Sequence, residues 1–174
     1  MNNFTNKDLF RISKRLMEIK RDRAQTQRLN GDGLEHLLQE MYLSIEEQLR
    51  AAAYYRALAD IAPNQFAAGM IEEFAADERE HAYQLQRAYE RLTGETFVSE
   101  YEYEFDLNPD DYVEYLEERV IEETNDYKKY KSFYLMTDNN YLRDIFFNAM
   151  HDEMYHALRE MYLIHRAMTD MGMM

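Results

Sequence analysis

The chain of 174 residues contains no cysteine. That excludes disulfides, thiolate metal sites, iron–sulfur clusters and a rubredoxin-type centre. Glycine and proline are scarce, five and two, and sit mostly between periodic segments, so the composition reads all-α. No stretch is long and apolar enough to span a membrane, and the opening "MNNFTNKDLFRISKRL" lacks the apolar run of a signal peptide. A cytoplasmic location without membrane attachment is the expectation. Basic residues are also short outside one region. Residues 1–30 carry eight Lys/Arg against three Asp/Glu, whereas the remainder carries twelve against thirty-one, within a net charge of −14. An acidic body of this kind argues against nucleic acid as a partner.

What is present is helical periodicity. A basic amphipathic helix is expected over about Lys7–Arg28, with Leu9, Ile12, Leu16 and Ile19 on one stripe and Gly31 and Gly33 ending it. Residues 1–30 are therefore read as a separate leading helix and residues 31–174 as one bundle. Four long helices are expected there, over about Leu34–Ile61, Pro63–Leu92, Asn108–Met136 and Asn140–Met168. Pro63 suits a first turn, Gly94 a stop, and "NPDD" at 108–111 a capped start. The connection from Gly94 to Asn108 alternates as an extended chain does. Fifteen extended residues reach about 50 Å, and a helix of thirty residues is about 45 Å long. The connection can thus traverse the bundle and set the third helix parallel to the second. Two antiparallel hairpins joined by one long crossover make a ferritin-like four-helix bundle.

The sequence repeats itself within that plan. "DEREHA" at Asp77–Ala82 returns 75 residues later as "DEMYHA" at Asp152–Ala157. "IEEQLRAAAY" at Ile45–Tyr54 is echoed by "IEETNDYKKY" at Ile121–Tyr130. Each hairpin thus carries a mid-helix Glu, then a Glu-x-x-His on its second helix. Positions i and i+3 share a helix face, so Glu78 projects with His81 and Glu153 with His156. Apolar neighbours flank all of them: Ile71, Phe74 and Leu85 around Glu78, and Phe146, Ala149 and Met150 around Glu153. Glu46 and Glu122 compete with their neighbours for the remaining positions. Glu47 and Glu123 are preferred because each has a Tyr seven residues on, two turns along the same stripe: Tyr54 and Tyr130.

Six ligand-type side chains then converge, namely Glu47, Glu78, His81, Glu123, Glu153 and His156. Bare carboxylates at that density repel one another and lose solvation, whereas two divalent cations neutralise four of them. With oxygen and nitrogen donors and no sulfur, iron or manganese suits the set, with zinc a further option, and a carboxylate-bridged pair lies about 3.5–4 Å apart. The competing reading is a bundle whose carboxylates face water. Asp77 and Glu80 are read as solvated, His151 as a supporting or surface residue, and His36 and His165 as structural or exposed.

These residues resemble the rubrerythrin branch of the ferritin-like superfamily: Glu47 with Tyr54, "EREH" at Glu78–His81, Glu123 with Tyr130, and "EMYH" at Glu153–His156. The resemblance covers about residues 34–168. It implies two iron ions, with manganese or mixed occupancy possible, held by the six residues above, and Tyr54 and Tyr130 hydrogen-bonded to ligand carboxylates across the bundle. It also implies a homodimer that reduces hydrogen peroxide, with ferrous oxidation or dioxygen-dependent hydroxylation as alternatives. The absence of cysteine departs from members that carry a rubredoxin-like domain, so an external electron donor is expected. Some members have an additional Glu one turn after the first on the third helix; here that position is Asp126, as readily a solvated residue as a ligand.

Overall fold

A computed structural model describes residues 31–99, 101–170 and 172. The expected leading helix over Lys7–Arg28 lies outside them. The architecture is an all-α ferritin-like four-helix bundle, with helices α1 (Gly31–Asp60), α2 (Gln65–Thr93), α3 (Tyr112–Met136) and α4 (Asn140–Asp170) and no strand among the described residues. No helix among those residues is long and apolar enough to cross a membrane.

The helix ends follow local chemistry. Helix α1 takes in Gly31 and Gly33 as its first turn, where the sequence suggested a break. Helix α2 starts two residues after Pro63, because the Asn64 side chain caps it, its Oδ1 accepting from Ala67 N–H at 3.0 Å. Gly94 ends it in the left-handed conformation, φ 75°, with its N–H donating to Glu90 C=O. Asn108 caps a 3₁₀ turn at Pro109–Asp111 that leads into α3. Asn139 Oδ1 accepts from the N–H groups of Tyr141 and Leu142 at the start of α4.

Helix α1 packs along α2 and α3 along α4; the two hairpins meet where α2 faces α4 and α1 faces α3. Both cross-hairpin pairings are antiparallel. Asp77 and His81 of α2 meet His156 and Asp152 of α4, and Glu47 and Tyr55 of α1 meet Lys129 and Glu123 of α3. Helix α3 is therefore parallel to α2, which only a chain-length crossover permits. That crossover, residues 95–108, lies along α1. Phe97 is buried at one end of the core, and Tyr103, Phe105 and Leu107 turn inward between the exposed Glu102, Glu104 and Asp106. Glu46 of α1 is buried and fastens the strap, accepting from Ser99 Oγ at 2.9 Å and Tyr103 OH at 2.8 Å.

The apolar core comes in two parts. One gathers Leu37, Met41, Ile45, Leu85, Phe133 and Phe146; the other gathers Leu58, Ile71, Phe74, Leu116 and Leu163. Between them the helices place a layer of buried polar groups: Gln48, Glu78, His81, Glu123, Glu153 and His156. Removing six such groups from water is costly unless they find partners.

Candidate metal centre

Each helix contributes from its middle. Glu78 and His81 come from α2 and Glu153 and His156 from α4, one turn apart in each case, with Glu123 from α3 and Gln48 from α1. Glu78 sends one oxygen each way. Its Oε2 lies 3.5 Å from His81 Nδ1 and its Oε1 lies 3.4 Å from His156 Nδ1. Glu153 does the same, with Oε1 3.7 Å from His81 Nδ1 and Oε2 3.8 Å from His156 Nδ1. Glu123 Oε2 adds a third carboxylate oxygen 3.5 Å from His156 Nδ1. Ligand atoms of Glu78, Glu123, Glu153 and His156 all fall within 4.8 Å of one another. The centre therefore has two lobes, one around each imidazole, bridged by Glu78 and Glu153.

The outward faces of the imidazoles are held across the hairpin interface. His81 Nε2 is 3.0 Å from Asp152 Oδ2, and His156 Nε2 is 3.1 Å from Asp77 Oδ2. Each Asp precedes the Glu of one motif and supports the His of the other. This corrects the reading of Asp77 as merely solvated: antiparallel α2 and α4 bring residue i−1 of one motif beside residue i+3 of the other. The pairing turns both Nδ1 atoms inward, where they have no hydrogen-bond partner. Glu78 Oε1 and Oε2, Glu123 Oε2, Glu153 Oε2 and Gln48 Oε1 are likewise buried without a partner. Buried polar atoms are nearly always satisfied. A set of unpaired oxygens and imidazole nitrogens pointing at common points is what divalent cations would satisfy, so these residues fit a metal pair.

Electrostatics agree with that fit. Burial, with Glu78 and Glu123 close by, pushes the Glu153 carboxyl well above its ordinary range. Burial and Glu123 also raise Glu78, but the imidazoles of His156 and His81 outweigh them and leave it lowered. Burial would lower His81, yet Asp152 and Glu78 lift it to about 9; Asp77, Glu123 and Glu78 likewise lift His156 to about 12. Without a cation, protons compensate the charge.

Helix α1 differs from the expectation by one residue. Glu47 is not in the centre. It is 47 % exposed, with Oε2 2.7 Å from Lys129 Nζ. A helix turns about 100° per residue, and Gln48 is the residue facing inward, its Nε2 donating to Glu153 Oε1 at 3.2 Å. The tyrosine shifts with it. Tyr55 is fully buried, its hydroxyl 2.6 Å from Glu123 Oε1 and 2.5 Å from Glu160 Oε1. Tyr54, assigned that role from the sequence, instead packs edge-on against Phe105 and Tyr115 at the margin. Tyr130, expected to hydrogen-bond a ligand carboxylate, is buried, but its hydroxyl has no partner. Asp126 is tied to Lys129 Nζ at 2.7 Å and stays out of the cluster. His151 is exposed and bonds Phe147 C=O through Nδ1. Glu80, His36 and His165 are also exposed.

Two buried ionisable residues had no place in the sequence reading. Arg119, 5 % exposed, pairs with Glu123 and with the half-exposed Glu122, and its guanidinium lies 4.6 Å over the Tyr55 ring. Burial opposes the charge on Glu123, but Arg119 and then His156 hold its carboxyl well below the usual range. Glu160, fully buried, is raised to about 8 by burial and by Glu123. One phenolic hydrogen cannot serve both carboxylates. The geometry closes when Glu160 keeps its proton and gives it to Tyr55 Oη, while Tyr55 donates to Glu123. The signal for the true pairing was in the sequence. Glu78 to Glu153, His81 to His156 and Asp77 to Asp152 are each 75 apart, and so are Gln48 to Glu123 and Tyr55 to Tyr130. Glu47 and Tyr54 are 76 from the same partners.

The sequence model of the Rubrerythrin family matches residues 40–164, a span that takes in every residue of the centre. The chain belongs to the rubrerythrin family. No curated protein and no solved structure gives a significant match. Where the resemblance led to Glu47 as the α1 ligand, the structure turns Gln48 toward the centre instead.

Proposed function

We propose that this rubrerythrin-family protein is an oxidoreductase that holds two iron ions and reduces hydrogen peroxide, recharged by an external electron donor. The observation that carries the reading is the two-lobed arrangement of buried donors, most of them unpaired: Glu78 and Glu153 each present one oxygen to the lobe of His81 and one to the lobe of His156. An iron pair, when bound, supplies one electron per ferrous ion, which with two protons converts one peroxide to two waters.

The residues of the chain do the rest. Glu78 and Glu153 set the separation of the two positions, and Asp77 and Asp152 fix the imidazole tautomers with Nδ1 inward. Phe74, its ring tilted against that of His156 with centroids 4.6 Å apart, and the buried Leu116 keep bulk water from that side. Glu160 and Tyr55 hold a proton beside Glu123. A pocket on the flank of α1 and α3, about 50 Å³, is lined by Arg50, Ala51, Tyr54, Glu118, Arg119 and Glu122. Its size and charge suit a small polar oxidant.

The test is anaerobic stopped-flow oxidation of the protein loaded with two ferrous ions, with peroxide and dioxygen compared in parallel. Much faster stoichiometric oxidation by peroxide supports the proposal. Preference for dioxygen turns the reading to ferrous oxidation. Failure to bind two ions, or binding unchanged in Glu78→Ala and Glu153→Ala, refutes it.

A further inference from the structure

The 75-residue offset relates the two halves of the centre type for type at Glu78 and Glu153, His81 and His156, Asp77 and Asp152, and Tyr55 and Tyr130. It fails at Gln48 and Glu123, where an amide answers to a carboxylate. The failure extends outward. Arg119, four residues before Glu123, corresponds to Ser44, and Glu160, seven after Glu153, corresponds to Leu85. All of these side chains are buried. At these three pairs of positions, the His156 side carries Glu123, Arg119 and Glu160, where the His81 side carries the neutral Gln48, Ser44 and Leu85.

Resting on the two-metal reading above, we propose that the two metal positions are unequal by construction. The position between His156 and Glu123 holds its ion tightly, and the position between His81 and Gln48 holds its ion weakly and exchanges it. Around His156, Glu123 supplies an anionic oxygen. Arg119 and Tyr55 engage its Oε1, which leaves Oε2 directed at the lobe and unpaired. On the His81 side, the residue answering to Glu123 is Gln48, whose neutral Oε1 is buried and unpaired. The same amide spends its Nε2 hydrogen on Glu153 Oε1, the bridging oxygen on the His81 side, and so withdraws donor strength from that position. Tyr130 repeats the asymmetry, since its hydroxyl has no acceptor where Tyr55 has Glu123. Affinity for hard divalent ions follows the count of ligand charges. A protein built this way keeps one resident ion and takes up or surrenders the second as supply changes.

The experiment is an anaerobic titration of the metal-free full-length chain with Co²⁺, followed by visible absorbance and by calorimetry. Two classes of site are expected, with dissociation constants at least about tenfold apart, the scale on which ligand and support changes act. Gln48→Glu draws the two classes together. Gln48→Ala, which adds no buried charge and guards against a misfolded Gln48→Glu, keeps the tight class and weakens the other. Glu123→Gln removes the tight class. Two ions bound with equal affinity by the unmodified chain, or an isotherm that neither Gln48 variant alters, overturns the inequality and leaves the two-metal reading standing. Uptake of no ion overturns both.

Discussion

Replacing Arg119 by Met tests how the centre is held together when it carries no cation. Arg119 is 5 % exposed and Glu123 not at all, so the pair they form is desolvated on both sides. Methionine keeps most of the apolar stem and removes the charge. Glu123 then retains the hydroxyl of Tyr55 and the imidazole of His156, 3.5 Å from its Oε2, and lies near Glu78 and Glu153. Breaking a buried pair from one side costs roughly 3–5 kcal/mol. The Nε of Arg119 is itself buried without a partner, so its removal relieves a part of that and favours the lower end. For a chain of this size each kcal/mol moves the melting temperature about 2–4 °C, so a fall of about 6–20 °C is expected in chelator. A divalent ion beside Glu123 Oε2 would supply the missing positive charge. The penalty in the loaded protein should therefore drop below about 2 kcal/mol, nearer the cost of a single lost hydrogen bond. Urea unfolding followed by circular dichroism, with chelator and with two equivalents of Co²⁺, measures both. A loss under about 1 kcal/mol without metal, the scale of an ordinary surface ion pair, would refute the assignment of Arg119 as the counterion of Glu123. An equal loss with and without metal would refute the link to the metal position and leave Arg119 as packing over Tyr55.

Other outcomes follow from the same geometry. Tyr55→Phe should cost about 1–3 kcal/mol, since two buried carboxyls lose their shared partner, whereas Tyr54→Phe should stay within about 0.5 kcal/mol; paired urea curves decide. Glu46→Ala strands the donors Ser99 and Tyr103, so it should cost about 1–3 kcal/mol and speed amide exchange across residues 95–108. Glu47→Ala should leave both stability and metal stoichiometry nearly unchanged. Asp77→Asn and Asp152→Asn should each weaken metal binding about 10–100-fold by freeing an imidazole, as read by Co²⁺ titration. The raised pKa of His81, about 9, gives a signed pH effect. Its contribution to metal-free stability is complete below the unfolded value of about 6.5 and is lost as pH rises through about 9. Unfolding free energies in chelator should fall across that window. Metal uptake at neutral pH should release protons from the imidazoles, seen as buffer-dependent binding enthalpy.

Much of this protein is decided by local pattern. The Glu-x-x-His spacing puts Glu78 with His81 and Glu153 with His156 on single helix faces whatever surrounds them. Asn64, Gly94 and Asn108 place helix ends through their own side chains or their own φ, and the length of the 95–108 segment permits a parallel α2 and α3. The 75-residue repeat implies two similar halves. Tertiary structure decided the phase of "EEQ" at 46–48. Three consecutive polar residues offer no local reason to choose which one turns inward, because 100° of rotation separates each from the next. Packing chose: the crossover claims Glu46, Lys129 claims Glu47, and Gln48 is left for the centre. The same rotation turns Tyr55 inward and Tyr54 to the margin. The supporting roles of Asp77 and Asp152 depend on the antiparallel meeting of α2 and α4, a contact between residues far apart in the chain. Arg119 and Glu160 look like surface charge in an acidic sequence, and only the burial of their faces makes them part of the centre. Helical periodicity assigns faces to within a residue or so, whereas the charge balance of a buried site turns on which single residue points inward.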